Sequence, residues 1–289
     1  MTLSILIPTY NYDPRQLVSD LQKQLPEDAE IIVGDDSSLT PTLSKGEGEN
    51  VRLFRSSHNL GRAGIRNALA REAKGEWILF IDADAQVRSE SFIKDYLLPL
   101  RGGWEGSVIC GGTGNLPSCP RPEVRLRYDY EVKAEKRLTL SYRQKHPYAQ
   151  FTTFNFMIQR DLFLSVGFDE SLKEYGHEDT LFGLELKKRG IPILHIDNKL
   201  THLGLEDAEE YLKKTETALR TLASMPQEQK QNVRVSALAL SLKHWHLLSI
   251  VLLFFRMSKP FLRANLLGKH PSQLLFAFYK LGYYAVQGK

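Results

Sequence analysis

Cysteine is scarce in this sequence: its 289 residues include only Cys110 and Cys119. Two thiols cannot build a bridged scaffold, so the core must be held by apolar burial. Cys110 ends an apolar run and reads as a buried thiol, and a reducing compartment is the simpler expectation. Long apolar runs are also missing. The uncharged stretch from His244 to Phe255 is shorter than the roughly 20 residues that span a bilayer. Extending it back to Val235 reaches that length only by taking in Lys243. The chain opens directly on Leu3-Ser4-Ile5-Leu6-Ile7, without a basic segment, apolar stretch and cleavage site, so no signal peptide is expected. Acid is absent from one region altogether. From Gln229 to Lys289 there are nine Lys and Arg and no Asp or Glu. Subtracting those nine from the 38 basic residues of the chain leaves 29 against 34 acidic side chains in residues 1–228, a net of −5. An acidic body therefore carries a basic, apolar tail, and two domains are expected: residues 1–228 and residues 229–289.

What is present is ordinary globular composition, 42% hydrophobic and 25% charged, on a chain long enough for one large α/β domain with an appendage. Short apolar runs at 3–7, 30–34, 51–54 and 77–81 read as strands. Segments 17–25 and 61–74 between them have helical spacing. Such alternation implies a largely parallel, doubly wound sheet, in which ligands bind at the carboxyl ends of the strands. Further along, 107–110, 151–158 and 193–196 read as strands, and 161–166 and 178–189 as helices. The charged segment 121–150 reads as a helix followed by a mobile stretch.

Polar groups gather at the expected strand ends: Thr9, then Asp35-Asp36-Ser37-Ser38, then Asp82-Ala83-Asp84. Two carboxylates one residue apart at the end of a buried strand need a cationic partner or a metal. Oxygen ligands are what Mg2+ or Mn2+ prefers. An acidic triplet alone is also what a turn or a helix start looks like, so its weight comes from its neighbours.

Pro8-Thr9-Tyr10-Asn11, Asp35-Asp36-Ser37, Asn59-x-Gly61 with Arg66-Asn67, Asp82-Ala83-Asp84 and Gly176-His177-Glu178-Asp179 occur in one order. Together they resemble the motifs of family 2 glycosyltransferases, over about residues 1–204. The resemblance implies a GT-A (nucleotide-diphospho-sugar transferase) fold: α/β, with a doubly wound mixed sheet, here with a helical C-terminal appendage. It also implies roles. Pro8, Thr9 and Tyr10 would line the base and ribose. Asp35 and Asp36 would read the uracil edge and ribose, although Asp and Ser also suit a helix cap. Serine at 37, where the family often has glycine, departs mildly from the pattern. Asn59 and Gly61 would shape the nucleotide loop, and Arg66 would approach the base or diphosphate. Asp82, Ala83 and Asp84 would form the DXD motif, with Asp84 the stronger candidate for metal contact and Asp82 bonding ribose or metal. His202, in Thr201-His202-Leu203-Gly204, would complete the metal or diphosphate site, with His195 a weaker candidate.

Asp179 would be the general base and Glu178 would position the acceptor, although acidic residues also favour a helix start through its dipole. The expected function is inverting, metal-dependent transfer of a sugar from a nucleotide-sugar donor, of UDP type, to a saccharide or lipid-linked acceptor in bacterial surface polysaccharide synthesis. Donor selectivity is expected in 111–115 and 154–155, and acceptor selectivity in 137–150 and the tail. A nucleotidyltransferase would favour a glycine-rich loop after the first strand, and 8–14 contains no glycine. The remaining alternative is a non-catalytic sugar-nucleotide-binding scaffold recruited through its tail. That tail mixes leucine with aromatic and basic residues, which suits peripheral contact with an anionic leaflet at the inner face of the cell membrane, while a helical appendage packed on the domain or on another subunit would look similar. No nucleic-acid-binding motif is found.

Overall fold

The computed structural model describes residues 2–37, 50–104, 106–171 and 175–287. Ser38, and the end of the basic tail at Lys289, lie outside the described residues. The strands in chain order are β1 (Leu3–Thr9), β2 (Ala29–Asp35), β3 (Val51–Arg55), β4 (Trp77–Ile81), β5 (Ala85–Gln86), β6 (Val108–Cys110), β7 (Thr113–Gly114), β8 (Asn155–Gln159), β9 (Ile193–His195) and β10 (Leu200–His202). The helices are α1 (Arg15–Gln22), α2 (Gly61–Glu72), α3 (Phe92–Leu97), α4 (Arg125–Arg137), α5 (Leu140–Lys145), α6 (Arg160–Val166), α7 (Glu178–Lys188), α8 (Ala208–Ser224), α9 (Gln227–Lys230), α10 (Arg234–His244), α11 (Leu248–Leu266) and α12 (Gln273–Gln287).

Seven strands pair in the order β3-β2-β1-β4-β8-β6-β9. β1, β2, β3 and β4 run parallel, but β8 lies antiparallel between β4 and β6, so the sheet is mixed. Alternation along each strand divides the core between two faces. Leu3, Ile5 and Ile7 of β1 and Trp77, Leu79 and Ile81 of β4 pack with α1 and α3 through Leu17, Leu21, Phe92 and Tyr96. On the other face, Leu6, Ile78 and Phe80 pack with α2, α6 and α7 through Ile65, Leu69, Phe163 and Phe182. Phe80 stacks on Phe156 at 4.9 Å, and Phe168 on Phe182 at 4.5 Å. Helices on both faces are what doubly wound requires. Beside this sheet a small one, β5-β10-β7, forms from the chain just past Asp84 and from the strand bearing His202.

Two departures from the sequence reading have physical causes. Pairing in β8 starts at Asn155, because Phe151 turns into the aromatic cluster beside Phe156 and Phe182 while Phe154 meets the His202 ring edge-on. Residues 140–150 form α5 and a 3-10 turn, held by buried Arg143. Its guanidinium donates to His195 Nδ1 (3.2 Å) and to the Ile196 carbonyl (2.9 Å), while His195 Nε2 donates to the Pro147 carbonyl (3.0 Å). His195 is thus consumed in packing.

Burial lowers the His195 pKa to about 4, with Arg143 adding to the effect. An unfolded histidine titrates near 6.5. Its folded value lies below that, so the neutral ring contributes full stability above about pH 6.5 and loses it as pH falls toward 4. The loss should approach about 3 kcal/mol. In denaturant titrations from pH 7 to 4, His195→Gln should show an acid-side loss smaller by roughly that amount. An identical pH slope would contradict the assignment.

Contacts divide the chain into two compact units. The first comprises Met1–Asn115, Arg137–Lys173 and Glu178–Gly204 and contains both sheets. The second comprises Leu116–Lys136, Glu174–His177 and Leu205–Lys289, so α4 and α8 cluster with the basic tail helices. Its core is Leu126, Leu212, Phe255, Leu262, Leu266, Phe276 and Tyr279. At its centre Glu216 accepts from Arg263 (2.9 Å) and the Tyr279 hydroxyl (2.5 Å). Burial, helped by Glu216, pushes the Tyr279 phenol up to about 12.

Candidate active site

Parallel pairing of β1 with β2 sets Pro8 opposite Gly34 and Thr9 opposite Asp35. The polar residues that follow these strands therefore share one rim. The Asp36 amide donates to the Thr9 carbonyl (3.0 Å), and Thr9 Oγ1 donates to the Tyr12 carbonyl (2.7 Å), which pins the loop after β1. Tyr10 is exposed on that loop. Asp35 Oδ1 accepts from the Ser37 amide and hydroxyl, and Arg55 stands 3.9 Å from its other oxygen.

The buried Asp36 carboxylate accepts from the backbone amides of Leu60 (2.7 Å) and Gly61 (2.9 Å). It caps the start of α2 from the residue that follows β2. Asn59 Oδ1 accepts from the same Gly61 amide at 2.8 Å. Gly61 has φ +73°, a left-handed conformation that glycine adopts without strain. Asn59, Gly61 and Asp36 thus shape the loop that aims α2. Burial raises the Asp36 carboxyl above its usual value, opposed by the two amides.

α2 then delivers two arginines to β4's carboxyl end. Arg66, 3% exposed, binds Asp82 Oδ1 through Nη2 and donates from Nη1 to the Arg62 carbonyl. Arg62, one turn earlier, reaches Asp82 Oδ2 at 3.8 Å and Glu178 at 2.5 Å. Burial pushes the Asp82 carboxyl upward against the pull of Arg66 and Arg62. Asp82 is therefore matched to arginine. Buried Ala83 between them packs into the core. Asn67 faces elsewhere, bonding both the amide and the carbonyl of Phe168.

Asp84 points to the small sheet. His202 Nε2 lies 3.1 Å from Asp84 Oδ2, and the Leu203 amide donates to the Asp84 carbonyl at 2.8 Å. A Cβ on Gly204 would overlap the Asp84 carboxylate, so only glycine leaves that side chain in place. Tyr12 is near as well: burial, then the charge of Asp84, raises its phenol pKa. Among the described residues no three His, Cys, Asp or Glu side chains are grouped to hold an ion. Asp84 and His202 form a two-ligand donor set. Carboxylate oxygen and imidazole nitrogen are donors that a divalent transition-metal cation accepts.

Glu178 and Asp179 open α7. Asp179 Oδ1 accepts from the Thr180 amide at 2.7 Å, as an acid in a first helical turn does. Arg62 joins Glu178 to Asp82, so the start of α7 and the end of β4 face each other. His177, just before, has φ +71° and contacts the Ala218 carbonyl through Nε2 at 3.1 Å. Asn155, expected in donor selection, is fully buried. Its Oδ1 accepts from the Tyr96 hydroxyl and its Nδ2 donates to the Gly112 carbonyl, so it supports the rim. Arg62, Tyr12 and Gly204 carried no role in the sequence reading. For Arg62 a signal existed: it precedes Arg66 by four residues, which places both on one helix face.

The family model for glycosyl transferase family 2 matches residues 4–167, more than half of the chain. The chain belongs to this family. Relatives of the chain include the validoxylamine A glucosyltransferase of Streptomyces hygroscopicus subsp. limoneus, 29% identical over 223 residues, 66% of this chain and 49% of that protein. Another is the poly(ribitol-phosphate) beta-glucosyltransferase of Bacillus spizizenii, 37% identical over 108 residues, 33% of this chain and 17% of that protein. The chain thus spans half or less of these relatives' length. Among solved structures, a mannosyltransferase from Pyrobaculum calidifontis in complex with GDP-Man and Mn2+ has a TM-score of 0.61 at 16% identity, covering 99% of this chain and 85% of that one. S. aureus TarS 1-349 in complex with UDP-GlcNAc has a TM-score of 0.52 at 19% identity, covering 80% and 69%. These likenesses establish the GT-A fold expected from the motifs.

Proposed function

We propose that this family 2 chain is an inverting glycosyltransferase that moves a sugar from a nucleotide-sugar donor, of UDP type, to a saccharide or lipid-linked acceptor in polysaccharide synthesis. The observation that carries the proposal is the bridge from Asp82 through Arg62 to Glu178, which brings the DXD motif and the start of α7 to one site. The solved neighbours support it, since this fold occurs there in complex with UDP-GlcNAc and with GDP-Man and Mn2+.

In this reading the loop after β1 and Asp35 hold the base and ribose. Asp84 and His202 would hold a divalent cation, which would offset charge on the diphosphate. Arg66 and Arg62 hold Asp82 in place, and Arg62 also fixes Glu178 beside the acceptor. Asp179 takes the proton of the acceptor hydroxyl. The hydroxyl oxygen bonds to the anomeric carbon as the bond from that carbon to the diphosphate oxygen breaks. Its electrons leave with the diphosphate, and the configuration inverts. A scaffold that only binds the sugar nucleotide would not need Asp179.

Binding linkage gives a direct test, because a ligand that binds only the folded chain raises its melting temperature. UDP with Mn2+ should raise it more than UDP alone, and in Asp84→Asn that difference should vanish. An undiminished Mn2+ effect in the variant would remove Asp84 from the metal site.

A further inference from the structure

A surface helix in water is polar on its outer side, but the outer side of α11 is apolar. Ile250, Leu253, Phe254, Met257 and Phe261 are 52%, 59%, 60%, 74% and 67% exposed. At about 100° per residue they fall within about 100° of one another. The opposite side of the same helix holds Leu252, Phe255, Leu262 and Leu266, buried in the core of the second unit. α11 therefore has two apolar faces, and packing within its unit uses one. Exposed apolar side chains also flank its start. α10 and α11 meet at a 119° bend, where Trp245 is 68% exposed and Leu247 45%. Single exposed apolar residues are normal, but a contiguous run of this length marks a contact surface.

Charge selects the partner. Lys243 on α10, Arg256 on α11 and Lys269 just past α11 are exposed, and residues 229–289 contain no Asp or Glu. A second copy docked here by two-fold symmetry would meet the same patch and the same cations, with no acid in the segment to neutralise them. A lipid leaflet with anionic headgroups offers both negative charge for the lysines and arginines and an apolar layer for the phenylalanines, with tryptophan suited to the boundary between them. Among the described residues no single helix is long and apolar enough to cross a membrane, and α10 with α11 reaches that length only across the 119° bend.

We infer that the α10–α11 corner and the outer face of α11 dock on an anionic lipid bilayer, with α11 lying in the interface. The expected position at the inner face of a bacterial cell membrane depends on this docking. The transfer chemistry proposed above does not, so the two stand or fall separately.

Co-sedimentation of the full chain with vesicles tests it. The protein should pellet with phosphatidylglycerol–phosphatidylcholine vesicles, stay largely in solution with phosphatidylcholine alone, and be released by salt. Phe254→Glu with Phe261→Glu should weaken the partition by about a hundred-fold or more, with the melting temperature unchanged because both side chains are exposed. Lys243→Gln, Arg256→Gln and Lys269→Gln together should weaken it at least ten-fold. Equal binding to both vesicle types, no binding to either, or a double glutamate variant that pellets like the parent would overturn the inference. So would a dimer that the double variant dissociates while neither protein binds vesicles, since the face would then join two copies.

Discussion

Asp179→Asn should lower kcat for sugar transfer by about 100- to 10,000-fold, the range over which a positioned general base acts. Asparagine keeps the shape and still accepts from the Thr180 amide, the hydrogen bond that Asp179 makes at the start of α7. It cannot take a proton from an attacking hydroxyl. Donor binding should survive, because the residues proposed to hold the base, ribose and diphosphate lie on other elements. The melting shift with UDP and Mn2+ should match the parent, and slow donor hydrolysis should fall with transfer. Glu178→Gln gives the contrast. It weakens the ion pair to Arg62 and should act mainly through acceptor KM, as a positioning residue does. Steady-state assays with both variants separate the roles, and a kcat within a few-fold of the parent in Asp179→Asn would assign the proton to another group.

Arg66→Met should destabilise the fold by about 3–5 kcal/mol, since removing one partner of a buried ion pair leaves the other charge uncompensated. Asp82 would keep Arg62 alone, at 3.8 Å and on a half-exposed side chain. The N–H bond from Arg66 to the Arg62 carbonyl would also be lost. Replacing both members with apolar groups removes the orphaned charge, so Arg66→Met with Asp82→Leu should recover most of the loss while remaining inactive. Denaturant unfolding of the single and double variants reads this directly. A single variant within about 1 kcal/mol of the parent would mean that water or a shifted pKa already satisfies Asp82.

Much of this arrangement was legible in the sequence. β1, β2 and β4 stood out as short apolar runs, and their parallel pairing placed Thr9, Asp35 and Asp82 on one rim. The motifs gave the fold because each sits at a strand end or a helix start, where local pattern and tertiary position coincide. Long-range partners were not legible. Nothing local announces that Asp36 caps α2 from just past β2, or that Arg143 leaves a charged helix to bond His195. The same holds for Gly204, whose missing side chain makes room for Asp84, a residue 120 positions away in the chain. Charge composition marked the tail but not its packing, since α4 and α8 share the second unit through apolar contacts that charge does not report.

The central claim is that one site joins the Asp84–His202 pair to Asp179. Anomalous diffraction from crystals of the full chain grown with Mn2+ and UDP tests it most directly. A single strong manganese peak is expected within bonding distance of the Asp84 carboxylate and His202 Nε2, touching the diphosphate, with the Asp179 side chain lining the same cleft. A peak bound away from Asp84, or a UDP cleft that Asp179 does not face, would contradict it.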